Sequence, residues 1–149
     1  MKRILFLLWI VAAICLLPFT NDLWLSDESP LWNRFTYQMA HAHILHLCLN
    51  AIGWFSVMRL VTAKRTFVAF LLSAFMPLNE MPIVGWSVII CFYVGCFIPN
   101  MSNDSLLKLL LLTIISFFVP GIAALQHLLM MSSGFVYRLI EREWEKTNQ

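Results

Sequence analysis

Six apolar runs, divided by short polar or charged stretches, constrain what this chain can fold into more than any other feature. They extend approximately over residues 4–19, 36–61, 66–77, 82–98, 106–119 and 121–140. A bilayer core takes about 20 mostly apolar residues per helix, fewer where the membrane is thin or the span is held inside a bundle. The third and fifth runs are short, and a short apolar run also suits a buried or re-entrant segment. An even number of crossings keeps the charged loops on consistent sides. The expectation is therefore an all-α integral membrane protein: a six-transmembrane-helix bundle, one domain over residues 1–149, with a long outer loop at about 20–35 and a short charged tail at about 141–149. Composition agrees, with 60% hydrophobic and only 12% charged residues. Twelve Phe, six Trp and eight Met exceed what a globule of 149 residues hides from water.

Charge sets the expected orientation. With the N-terminus inside, Lys2, Arg3, Arg59, Lys64, Arg65, Lys108, Arg138, Arg142 and Lys146 fall on the cytoplasmic side, and Arg34 alone falls outside. Basic residues near span ends favour the cytoplasm while acids matter little. This predicts a multi-pass protein of the bacterial inner (plasma) membrane type with both termini cytoplasmic, and a lipid bilayer as partner; nothing points to nucleic acid. Lys2 and Arg3 before the first run also suit a cleaved signal peptide, but no small-x-small site follows near Pro18. Cys15, Cys48, Cys91 and Cys96 all lie inside apolar runs without paired spacing, so they read as small apolar fillers.

Polar residues inside such runs are functional candidates because burying them is expensive. The second run carries His41, His43, His46 and Asn50; Ser87 stands near the start of the fourth, and His127 about two turns into the sixth. In the expected topology all of them share one depth, near the outer side. On a helix His43, His46 and Asn50 fall within a sector of about 60° while His41 points elsewhere. That sector permits a serine activated by a histidine base, with donors from a third helix for the oxyanion of an acyl transfer. Two other readings stay open here. Such groups also serve as hydrogen-bonding glue between helices. His43 and His46, three residues apart, also suit a metal ion, although no carboxylate and no HExxH accompanies them.

The stretch from Leu31 to Asn50 contains Trp32-Asn33-Arg34 and then His41, His46 and Asn50 at the spacing HxxxxHxxxN. Further on stand Gly85-Trp86-Ser87-Val88, Gly95, His127 and Gly134. In order and spacing this set resembles the rhomboid family of intramembrane serine proteases, from about Leu31 to Gly134. The resemblance implies Ser87 as nucleophile, His127 as general base, His46 and Asn50 with the Ser87 backbone N–H as oxyanion hole, and His41 and Gly85 as structural residues near the site. It implies a Ser-His dyad without cofactor or metal, hydrolysing a peptide bond in or near the transmembrane segment of a membrane protein.

The chain departs from the family pattern at Val88, where the motif has glycine, at Met130, where a small residue is usual, and at Cys91, where an aromatic often packs on the histidine. Arg34 is displaced by one position. Extra bulk at Val88 and Met130 calls for close approach elsewhere, with Gly85, Gly95, Ala123, Ala124, Ser133 and Gly134 as the small positions able to supply it. The alternative function is a catalytically inactive rhomboid-like protein that binds transmembrane segments without cutting them.

Overall fold

A computed structural model of the chain describes residues 2–77, 83–119 and 122–148. In chain order α1 runs over Lys2–Leu16, α2 over Thr20–Leu23, α3 over Asn33–Thr36 and α4 over Ile44–Val57. Then follow α5 over Ala63–Ala74, α6 over Ser87–Phe97, α7 over Asn103–Ser116 and α8 over Ala124–Thr147. Several starts are set by side chains that accept from the otherwise unpaired first N–H groups of a helix. Thr62 caps α5 by accepting from Arg65 N, Ser102 caps α7 from Ser105 N, and His43 caps α4 from His46 N. Pro18 and Pro99 stand within 3₁₀ turns that end the helices before them.

These breaks correct the expected architecture. Among the described residues only one helix, Phe6–Leu23, is long and apolar enough to cross a bilayer, and 22% of it is buried. The apolar helices Ile44–Leu60 and Ser87–Asn100 are shorter. At about 1.5 Å per residue, α5 and α7 extend roughly 18–21 Å, well short of a hydrocarbon core of about 30 Å. The second apolar run does not helix from its start at all: residues 40–43 are extended or bent, and α4 begins only at Ile44. The six-transmembrane-helix bundle is therefore overturned, and the multi-pass location with both termini cytoplasmic loses the spans on which it rested. Pro82 and Gly121, the expected starts of the fourth and sixth spans, lie outside the described residues.

The architecture is a helical assembly built around α6, whose Val88, Ile89, Phe92, Tyr93, Gly95 and Cys96 are buried. Its closest neighbour is α8. A Cβ on Gly95 would run into the backbone of Met131, and one on Gly134 into the backbone of Phe92, so two glycines facing each other's helix let the backbones touch. Val88 and Met130, the bulky departures, are absorbed in the core at 0% and 1% exposure. On the opposite flank α1 and α4 reach α6 through aromatic rings. Trp9 and Trp54 lie 4.2 Å and 4.5 Å from Trp86, ring centre to ring centre, and Trp54 meets Tyr93 edge-on at 5.8 Å.

Two polar ties hold the ends. Arg65 of α5 makes a bidentate pair with Glu141 of α8, Nε to Oε1 at 3.2 Å and Nη2 to Oε2 at 2.5 Å, and Arg138 adds a third bond to the same carboxylate at 2.6 Å. Burial alone would raise the pKa of Glu141, but the hydrogen bonds from Arg65 and Arg138 outweigh it and hold the carboxyl below its ordinary value. At the other end Arg34 Nη1 donates to the carbonyls of Ala74 and Met76, at 3.0 Å and 3.3 Å, satisfying acceptors at the C-terminus of α5. Large apolar side chains remain exposed along α1, α4 and α7, and α7 buries none of its residues.

Candidate active site

Ser87 opens α6, directly after a tight bend. Gly85 adopts φ +91°, a conformation open to glycine and strained for other residues, and its N–H donates to Tyr37 O at 2.9 Å. Just before the bend, Ile83 pairs with Leu25 of the long loop in an isolated antiparallel bridge, with reciprocal N–H···O bonds of 2.9 Å. The bend thus rests on the loop from two sides. Its geometry places Ser87 in the first turn of α6, where backbone N–H groups lack intrahelical acceptors and the helix dipole is positive.

His127 sits in the first turn of α8, its backbone N–H bonded to Ala123 O at 3.0 Å. Its Nε2 lies 2.9 Å from Ser87 Oγ, which is the side chain's one hydrogen bond among the described residues. For Nε2 to accept the serine proton, the imidazole must be neutral with its own proton on Nδ1. The pair is a dyad: among the described residues no carboxylate is bonded to the histidine. The close approach of α6 and α8 at Gly95 and Gly134 fixes the two helices that carry the two side chains.

His46 and Asn50 come from α4 and line the same cavity as Ser87 and His127, a space of about 510 Å³. His46 Nδ1 accepts from Ala42 N at 3.4 Å, which places the ring proton on Nε2. The ring lies against Gly85: a Cβ there would stand 3.1 Å from His46 Cε1 and 3.3 Å from its Nε2. Asn50 is buried, and its Nδ2 donates to His46 O at 3.0 Å. An amide nitrogen carries two protons, so one N–H is left over. His46 Nε2–H, Asn50 Nδ2–H and the Ser87 backbone N–H are therefore three donors around one cavity that also holds a serine hydroxyl bonded to a histidine.

His41 is placed differently from these. It is completely buried, edge-on to Trp9 at 5.5 Å and to His46 at 5.4 Å, and a Cβ on Gly85 would come within 3.3 Å of it. Its carbonyl accepts from Thr20 Oγ1 at 2.8 Å, which ties the start of α2 to the extended segment before α4. It is a support for the bend and the loop, standing behind the donors. Comparison with protein-family models, curated proteins and solved structures finds no match.

Several supporting residues carry no signal in the sequence. Tyr37, which receives the Gly85 N–H, and Trp9, Trp54 and Trp86, which brace His41 and the bend, lie in apolar surroundings where an aromatic reads only as core. Gln126, next to His127, donates to Pro77 O at 3.3 Å and anchors the start of α8. Among the described residues no group of three or more His, Cys, Asp or Glu is placed to hold a metal ion. A second cavity, of about 560 Å³ between α1, α4 and α5, has no ionisable side chain in its wall. The first cavity, by contrast, is lined by His43, His46 and His127.

Proposed function

We propose that the chain is a rhomboid-like serine endopeptidase that hydrolyses a peptide bond in or near the transmembrane segment of a membrane protein. The observation that carries this reading is the 2.9 Å contact between Ser87 Oγ and His127 Nε2, in a cavity lined by His46 and Asn50. As Ser87 Oγ adds to the scissile carbonyl carbon, its proton passes to His127 Nε2. The negative oxygen of the tetrahedral intermediate is received by His46 Nε2–H, Asn50 Nδ2–H and the Ser87 backbone N–H. Collapse breaks the C–N bond, and His127 returns the proton to the leaving amine. A water molecule, deprotonated by the same histidine, then hydrolyses the acyl ester and restores Ser87. No cofactor takes part.

The apolar walls of the cavity, among them Leu49, Ile90 and Ile122, support an apolar stretch of protein as substrate. Lipid is the partner proposed for the apolar side chains left exposed on α1, α4 and α7. A substrate helix has to unwind to present its carbonyl, so helix-breaking or small residues beside the cleaved bond are favoured. The test is cleavage of a model transmembrane substrate by the purified protein and by Ser87→Ala and His127→Ala. Cleavage lost in both supports the reading; cleavage retained in Ser87→Ala overturns it.

A further inference from the structure

His43 has no part in the mechanism above, yet it lines the same cavity as Ser87 and is exposed. Its backbone is extended, φ −166° and ψ 169°, and its side chain caps α4 by accepting from His46 N at 3.1 Å through Nδ1. Serine, threonine, aspartate or asparagine would satisfy that N–H at least as well, and they are the usual residues at such a position. Histidine brings something they lack, a second nitrogen about two bonds further out. Because Nδ1 is used as an acceptor, the neutral ring must carry its proton on Nε2. The cap thus fixes the tautomer and leaves an N–H donor on a ring at the edge of the cavity.

The spacing gives that donor a use. The His43 and His46 rings lie 6.1 Å apart, centre to centre. In an extended peptide, carbonyls two residues apart point the same way at a separation of roughly 6.6–6.8 Å. Donors carried on two rings centred this far apart are within range of two such carbonyls, with the scissile one at His46. We infer that His43 is a substrate-binding residue, whose Nε2–H donates to the carbonyl oxygen two residues from the scissile bond and selects for a substrate segment that is extended there. This rests on the peptidase reading and deepens it, because it assigns the conformation of the bound peptide and makes α4 contribute to binding as well as to the oxyanion.

The test compares His43→Asn, which keeps a capping acceptor and loses the outer N–H, with His43→Ala, which loses both. The measurements are thermal stability, kcat and KM for a model transmembrane substrate, and labelling of Ser87 by a small fluorophosphonate, a probe too short to reach the second carbonyl. His43→Asn is expected to melt with the parent and to be labelled by the probe. Its KM should rise about 3–10-fold, the loss of one hydrogen bond, with kcat changing less. His43→Ala should show the same rise in KM and a lower melting temperature. A parental KM in His43→Asn, with only the stability of His43→Ala affected, would make His43 a cap alone and overturn the inference. A parent protein that the probe does not label, and that does not cleave, would overturn the peptidase reading and this inference with it.

Discussion

Gly85 stands under the His46 imidazole, so that a methyl group added to it would lie 3.1 Å from His46 Cε1 while the backbone kept φ +91°. Two penalties therefore fall on one substitution. The left-handed backbone is unfavourable for alanine by about 1–2 kcal/mol, and the contact pushes the ring that supplies the Nε2–H donor. Gly85→Ala is expected to lower stability by at least that amount and to lower turnover further than stability alone explains. Chemical denaturation alongside kcat on a model substrate separates the two. Equal activity per folded molecule would mean that the bend matters for folding only.

The glycines between α6 and α8 predict a different outcome. At Gly95 and Gly134 the obstacle to a Cβ is backbone, of Met131 and Phe92 respectively, which has no rotamer to yield. Gly134→Ala should force the helices apart, destabilising the protein by about 1–3 kcal/mol or more and lengthening the Ser87–His127 contact. Fluorophosphonate labelling should slow together with the loss of stability. Unchanged melting in Gly134→Ala would contradict the close helix contact.

The dyad and the oxyanion donors should be separable by kinetics. In the proposed mechanism His46→Ala and Asn50→Ala each remove a donor to charge that exists only in the transition state, for which losses of about 10²–10³ in turnover are typical. His41→Ala should act mainly through stability, since His41 is buried against Trp9 and its neighbours rather than lining the cavity. Activity should also fall as the medium is acidified, because a protonated His127 cannot take the serine proton. A turnover that rises into acid would rule out His127 as base.

How much of this was legible in the sequence differs by level. Ser87, His127, His46 and Asn50 stand out by chemistry and spacing, and the fold brings them to one cavity because glycines at 85, 95 and 134 permit the bend and the helix contact. The helix lengths were not legible. Apolarity counts residues whether or not they are helical, and it read through the extended segment at residues 40–43 and the 3₁₀ turns near Pro18, Met58 and Pro99. The outer loop reads as one polar segment, yet Leu25 pairs with Ile83 and Asn33 Nδ2 donates to the carbonyls of Asp22 and Trp24. Such pairings join residues far apart in sequence and leave no local pattern. The pair of Arg65 and Glu141 was invisible for the same reason, since 76 residues separate the partners.

That pair yields a prediction about acid stability. Glu141 has a lowered pKa in the folded protein, so its contribution is present above the unfolded carboxyl pKa and is lost as pH falls through the folded value. Glu141→Gln should therefore melt below the parent at neutral pH, by a stability difference on the order of 1.5–3 kcal/mol for charge-assisted bonds. The difference should shrink on acidification. A gap that stays constant down to strongly acidic pH would show that the carboxylate charge is not what ties α5 to α8.

The central claim is that Ser87 is a nucleophile activated by His127, and covalent labelling tests it most directly. Purified protein treated with a fluorophosphonate should gain one adduct, mapped by mass spectrometry to Ser87, and should lose cleavage of a model transmembrane substrate in step with it. Ser87→Ala should take no adduct, and His127→Ala should label far more slowly. Labelling at another serine, or equal labelling of parent and Ser87→Ala, would contradict the account.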